Sequence, residues 1–220
     1  MARRRVRTPN PFASCNARTL GIRMSERAPE PTPLGPRQAL QQRVSEAILT
    51  AAARTFTVQG ERATLADVAA AAGVARATVY RYFPNRRRLL EEVARRAAQS
   101  VHERLVRARV DEVSVEEGVT RAVRAFVDEG EGFVVLARAR GHLESDEFDG
   151  LIGAPLRRLL DSGRSAGRIR ADIAPDVLAE ALVGMVAGVL AQSPLGRDDA
   201  VASIRAAFLE GALAPARTER

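Results

Sequence analysis

Apolar residues along this chain recur at three- and four-residue intervals, the spacing of helices buried along one side. Val44, Ile48, Leu49, Ala52 and Phe56 follow that spacing and Gly60 supplies a C-terminal stop, which predicts a first helix over roughly 38–58. Thr64 and Asp67, three apart, have the form of a capping box and open a second helix over 65–72, ended by Gly73. A third, over 75–83, stops at Pro84. Asn85 then caps a long fourth helix reaching about Arg109, with Leu89, Leu90, Val93, Val101 and Leu105 as its apolar members. Ser114 and Glu117 repeat the box and open a helix to about 129. Helices follow near 131–143 and 147–162, then a glycine-containing turn, DSGRSAGRIRAD, and two last helices at 175–193 and 198–213. Strand signals are almost absent and no segment repeats, so the fold class is all-α.

The stretch GVARATVYRYF at 73–83 departs from a plain amphipathic helix. Ala75, Val79 and Phe83, four apart, make its inward face, which leaves Arg76, Thr78, Tyr80 and Arg81 pointing away from the core. Ala69, Gly73 and Val79 supply the parts of a helix-turn-helix: a small residue where the helices touch, a turn residue that tolerates positive φ, and a core anchor on the second helix. Leu65, Val68 and Val74 fill the space between. The second helix then presents Arg76, Ala77, Thr78, Tyr80 and Arg81 to a DNA major groove about 12 Å wide. Arg can pair with a guanine edge, Ala and Thr can pack on a thymine methyl, and Tyr hydroxyls can hold phosphates.

Charge sharpens this picture. The net +7 is uneven: residues 1–23 hold six Arg and no acid, 37–105 hold twelve Arg against six acids, and 106–220 hold fifteen against nineteen. A basic half followed by an acidic one suits a polyanion-binding module joined to a module with another task. All 34 basic residues are Arg, which reads as genomic base composition and carries little function. Hydrophobic residues make up 46% of the 220, enough for a core of substance. With one Cys (Cys15) and two His (His102 and His142), the chain can form no internal disulfide and no Cys/His metal cluster, and a reducing, cytoplasmic compartment fits. No cofactor or metal is expected. The run VLAEALVGMVAGVL at 177–190 is interrupted by Glu180 and is shorter than the roughly 20 residues that cross a bilayer; a buried helix, not a membrane span, is expected. GRSAG and GEG are too short for phosphate loops, and no Ser, His and acid set forms a catalytic pattern, so an enzyme is not expected.

Residues 1–36, rich in Arg and Pro and without periodicity, read as a disordered tail. It is either a basic arm for polyanions, the product of a start assigned too early with Met24 the true one, or inert. Residues 37–84 form the expected helix-turn-helix domain and 85–220 a helical effector-binding and dimerisation domain. In helix 175–193, Leu178, Leu182, Met185, Val186, Val189 and Leu190 make one apolar stripe, while Ala181, Gly184, Gly188 and Ala191 make a second of small residues. Apolar on two faces, this helix must be covered twice. With Val201, Ile204 and Phe208 on the last helix, the small stripe forms an expected four-helix contact between two copies, with an intrachain core helix as the alternative. Phe126, Phe133, Val134, Val135, Leu136, Leu143, Phe148, Leu151 and Ile152 suit either an apolar cavity or a plain core.

ILTAAARTFTVQG at 48–60 and TLADVAAAAGVARATVYRYFPNRRRLL at 64–90 resemble the first helix and the helix-turn-helix of the TetR/AcrR transcriptional regulators. The resemblance spans about 43 residues; residues 91–220 match in layout only. It implies that Thr64, Tyr80, Tyr82 and Arg86 touch phosphates while Arg76, Ala77, Thr78 and Arg81 stand nearest the bases. Arg86 stands where the family usually has Lys, Ala75 replaces a frequent Ser, and Arg87 and Arg88 make the start of the fourth helix more basic than usual. The family further implies a homodimer on a palindromic operator in double-stranded DNA, most often a repressor, released by an unidentified small-molecule effector. The alternative is a helical small-molecule sensor or partner-binding protein whose helix-turn-helix no longer binds DNA.

Overall fold

Helix α1 (Pro36–Gln59) opens the described part of this computed structural model, which comprises residues 35–139, 148–192 and 195–213. Both hydrophobic cores lie within residues 40–220. One stripe of α1, Ile48, Leu49, Ala52 and Phe56, is buried, and the helix ends where Gly60 takes a φ of +59° and starts a 3-10 turn to Arg62. Helix α2 (Leu65–Ala71) begins at a complete capping box. The Asp67 amide donates to the Thr64 hydroxyl oxygen at 3.2 Å, and the Thr64 amide donates to the Asp67 carboxylate at 2.9 Å. Helix α3 (Arg76–Tyr82) follows, and α4 (Arg86–Arg107) starts at Asn85, whose side-chain oxygen accepts from the Arg88 amide at 2.9 Å.

Helix α5 (Val115–Glu129) is capped by Ser114, which accepts from the Glu117 amide at 3.3 Å. Glu117 is engaged instead by Arg121, whose Nε donates to the carboxylate at 2.8 Å. After α6 (Glu131–Ala139), a π-helical turn (Asp149–Gly153) runs directly into α7 (Ala154–Ser165). Helices α8 (Pro175–Gln192) and α9 (Arg197–Ala212) close the described chain. The all-α class holds: among the described residues, the only strand-like pairing is an isolated bridge from Ile169 to Leu213. Leu143, His142, Cys15 and Met24 lie outside the described residues, as does nearly all of the expected tail.

Two cores share one helix. The first gathers Ile48, Ala52 and Phe56 of α1, Leu65 and Val68 of α2, Val79, Phe83, and Leu89 and Val93 of α4, with Val135 reaching in from α6. The second begins one residue later on α4, at Ala94, and takes in Ala97, Val101 and Leu105 together with inward residues of α5 to α9. Because consecutive turns of α4 serve both cores, a displacement of this helix in one is felt in the other. Helix α6 adds a second tie: Arg138 Nη1 donates to the Thr57 carbonyl at 3.2 Å, satisfying an acceptor in the last turn of α1. Phe126 and Phe133 stack with centroids 4.6 Å apart in the larger core, where Val134, Leu136 and Ile152 are also buried. Helix α7 approaches the start of α5 closely at Gly163, where a Cβ would lie 2.8 Å from Val115 Cγ2 and 2.9 Å from Ile169 Cγ1.

Two sequence expectations are corrected here. Helix α8 buries one side only, through Leu178, Ala179, Leu182, Val183 and Val186, and just 28% of its 18 residues are buried despite a mean hydropathy of 1.4. By length and composition alone it would reach across a membrane. Ala181, Gly184 and Gly188 are exposed and Ala191 is half-buried, and nothing lies within 4 Å of a Cβ built on either glycine. Val201, Ile204 and Phe208 were expected at a contact between copies; they are 5%, 1% and 3% exposed, inside the chain's own core. The apolar period of α9 is real, but it points inward.

Candidate nucleic-acid interface

Three local features hold α3 out from the body. Gly73, with φ at +65°, turns the chain after α2 in a conformation that costs residues with a Cβ. Val74 then donates from its amide to the Ala69 carbonyl at 3.0 Å, which closes the turn. Val79 is fully buried on the inner side of α3, and Phe83, at its C-terminal cap, is 8% exposed, so two anchors fix the rotation of a helix only seven residues long. Ala75 differs from the sequence reading. It sits outside the helix as its N-cap, in extended backbone with φ −65° and ψ 145°, and is exposed. It offers no side-chain cap bond, in keeping with the missing Ser hydroxyl.

With that rotation, the structure brings Arg76, Ala77, Tyr80 and Arg81 together on one exposed surface, with Tyr80 at 54% exposure and Thr78 half-buried at the edge. Tyr82 is half-buried against the first core, and the Arg81 guanidinium lies 5.3 Å from its ring centroid, a cation–π contact that holds Arg81 beside the helix end. Arg87 and Arg88, both exposed, lean on Glu91 at 3.7 and 3.3 Å, which offsets their cost in the first turn of α4. Arg88 also lines an open groove of about 340 Å³ with Ser45, Tyr82, Pro84 and Arg95.

Two of the phosphate-contact candidates are engaged within the chain. The Thr64 hydroxyl donates to the Asp67 carboxylate at 2.6 Å. That bond, with the Thr64 amide, holds the Asp67 carboxyl below its ordinary range, and Arg76 adds to the effect. Arg86 is folded back from the start of α4. Its Nε donates to the Ala63 carbonyl at 3.0 Å, its Nη2 to the Gly60 carbonyl at 3.1 Å, and its Cζ stands 5.1 Å from the Phe56 ring centroid. Sequence reading missed this role. No local pattern signals it, since its two acceptors lie 23 and 26 positions away in sequence.

Of the remaining chemistry-bearing residues, His102 Nδ1 lies 2.8 Å from the Leu151 carbonyl of the π-helical turn, a hydrogen bond between α4 and the segment before α7. Glu129 is mostly enclosed near Ser100, Arg96 and Arg104, and burial raises its pKa against their opposing pull. No cluster of three or more metal-ligating side chains occurs among the described residues.

Residues 48–93, from the middle of α1 into α4, match the model for bacterial regulatory proteins of the tetR family. No curated protein sequence matches the chain. Solved structures do. The TetR-like transcriptional regulator LfrR from Mycobacterium smegmatis, in complex with proflavine, is 24% identical with a TM-score of 0.64, covering 78% of this chain and 97% of its own. The ketosteroid transcriptional regulator KstR2 of Mycobacterium tuberculosis is 18% identical with a TM-score of 0.60, covering 78% and 95%. The TetR transcriptional regulator SCO0520 from Streptomyces coelicolor is 26% identical with a TM-score of 0.52, covering 78% and 99%.

Proposed function

Starting from a chain that carries the TetR-family helix-turn-helix module on the fold of TetR-like transcriptional regulators, we propose that it binds a palindromic operator as a homodimer and is released by a small-molecule effector. The observation that carries the reading is the exposed surface of α3, where Arg76, Ala77, Tyr80 and Arg81 share one side while Val79 locks the other into the core. Inserted in a major groove about 12 Å wide, this surface sets Arg76, Ala77, Thr78 and Arg81 against base edges and Tyr80 and Tyr82 against phosphates. Arg86 approaches the backbone with the Nη donors its internal bonds leave over, and Thr64 reaches a phosphate by exchanging the hydroxyl donor it now gives to Asp67. Two copies of α3 related by a two-fold axis read half-sites about 34 Å apart, so dimer symmetry appears as operator symmetry.

The outer surface of α8, with Ala181, Gly184, Gly188 and Ala191, is the proposed meeting face of the two chains. Its exposed apolar composition supports this, since a helix apolar on two sides needs cover on both. Residues 85–220 are the effector and dimer module and 37–84 the DNA module, with α4 and the α6 contacts through Val135 and Arg138 carrying the coupling. Effector release requires that ligand and DNA favour different arrangements of this connection, by about 1–3 kcal/mol. LfrR was solved with proflavine and KstR2 is a ketosteroid regulator; by analogy a small organic molecule is the effector here. The chain acts in the cytoplasm, as a regulator and not as an enzyme. A mobility shift on the DNA upstream of its own coding sequence tests the reading: a retarded complex that withstands excess random duplex is expected. Its absence at micromolar protein favours a sensor whose helix-turn-helix is idle.

A further inference from the structure

We propose that His102 is a positioning residue that ties α4 to the π-helical turn, so that movement of the effector helices is passed to the DNA module through one side-chain hydrogen bond. The inference rests on the regulator proposed above. His102 is half-buried on α4, and its Nδ1 lies 2.8 Å from the Leu151 carbonyl oxygen. A carbonyl only accepts, so Nδ1 carries the proton in this contact. Why that carbonyl is available is written in the sequence. Pro155 stands four residues after Leu151, where a regular α-helix would close an amide on the Leu151 carbonyl. Proline has no N–H to give, and its ring clashes with the carbonyl four residues back. The backbone widens instead: Asp149–Gly153 is π-helical, the Ala154 amide donates to the Asp149 carbonyl five residues back, and the α-helix resumes with Pro155 buried in its first turn. Pro155 thus leaves the Leu151 carbonyl without its α-helical donor, and His102 supplies one from another helix.

The other side of the turn is pinned too. Arg157 holds Asp149 by paired bonds, Nη1 to Oδ1 at 2.6 Å and Nη2 to Oδ2 at 2.5 Å, and the same Nη1 lies 3.4 Å from Asp176 in the first turn of α8. The π-helical turn therefore stands between α4 and α8, the helix proposed for the contact between copies. Single π-helical turns recur at functional sites in helical proteins. On the α4 side, Val101 beside His102 belongs to the larger core, whereas Leu89 and Val93 of the same helix belong to the first. A shift of the turn thus pulls on a helix that both close-packed cores share. Satisfying an orphaned carbonyl is the plainer role of such a bond. A positioning role predicts more: an effect at the far end of α4.

Amide hydrogen exchange of the full chain tests this, read at residues 86–93, the part of α4 in the first core. His102→Leu removes the donor, and Pro155→Ala restores an amide that competes for the Leu151 carbonyl without emptying the core. Each should change exchange at 86–93 by about threefold or more, and the double variant should go no further than either alone. His102→Asn, whose side-chain amide can still donate, should behave as wild type. Operator affinity should shift by about threefold or more in the first two variants and not in the third. Changes confined to the surroundings of residues 102 and 151, with 86–93 and operator affinity as in wild type, would reduce His102 to a local donor and overturn the proposal. An additive double variant would overturn it as well. If exchange moves as expected while wild type forms no specific DNA complex, the link along α4 stands and the DNA reading falls.

Discussion

The Arg86 Nε donates to the carbonyl of Ala63 at 3.0 Å, joining the first residue of α4 to the turn between α1 and α2 across 23 positions of sequence. Its Nη2 closes the same turn through Gly60. Arg86 is therefore a structural residue, whatever it also contributes to DNA. Arg86→Ala is expected to lower stability by about 1.5–3 kcal/mol, as charged hydrogen bonds of this kind do. Arg86→Lys should recover only part, because an ammonium cannot serve both carbonyls in fork geometry. Urea unfolding checks this; a midpoint for Arg86→Ala equal to that of wild type contradicts it.

Thr64 and Asp67 make the α2 cap a pH-dependent element. Hydrogen bonds from Thr64 depress the Asp67 carboxyl, so the unfolded state binds the proton more readily. The stabilisation is complete above the ordinary carboxyl range and is lost as pH falls through the lower, folded-state value. Thr64→Val, which keeps the shape and removes the hydroxyl, should cost about 1 kcal/mol at neutral pH. The gap between variant and wild type should shrink below about pH 4. A gap independent of pH would show that the Asp67 bond is not its source.

Glu129 has the opposite sign. Burial raises its pKa, with Ser100, Arg104 and Arg96 opposing, so the folded state holds the proton more readily than the unfolded one. Stability from this residue falls as pH rises from about 4.5 through the raised value. Glu129→Gln, which retains an acceptor for Ser100, should therefore be more stable than wild type at pH 8 and gain little at pH 4. Thermal melts at the two values decide it, and an equal change at both contradicts the burial argument.

These residues mark where the sequence is a sufficient guide. Thr64, Asn85 and Ser114 cap their helices as the local pattern requires, because a cap is decided within four residues. Gly73 takes positive φ for an equally local reason. Ala75 misled because a spacing of four places it on the inner side only if the helix already includes it, and the helix starts one residue later. Arg86 was illegible in its second role because its acceptors lie 23 and 26 positions away. Val201, Ile204 and Phe208 have the right period for burial, but periodicity reports that a face is covered and not whether its own chain or a second copy covers it. The π-helical turn at 149–153 leaves no pattern of its own in the apolar spacing.

The exposed glycines of α8 allow the dimer to be tested without disturbing the monomer. Nothing among the described residues lies within 4 Å of a Cβ built at Gly184 or Gly188, so Gly188→Leu starts from open space, and the change raises helix propensity. It should weaken self-association by about 1–3 kcal/mol through overpacking between copies. Phe208→Ala, by contrast, empties the chain's own core and should cost about 3–5 kcal/mol of folding stability. Sedimentation and unfolding separate the two effects. A Gly188→Leu protein that stays fully dimeric would remove this face from the interface.

Base reading by α3 is the central claim, and titration of Arg81→Ala against operator and scrambled duplex over a range of salt tests it most directly. Arg81 is exposed, rests its guanidinium over the Tyr82 ring and holds no core position, so the variant should fold as wild type does. The account predicts a loss of about 1–3 kcal/mol on the operator, relaxed preference at one base pair in each half-site, and little change on scrambled DNA. An equal loss on both duplexes, removed by raising the salt, would make Arg81 a phosphate contact and contradict the orientation of α3. Unchanged affinity for both would contradict DNA reading by this surface altogether.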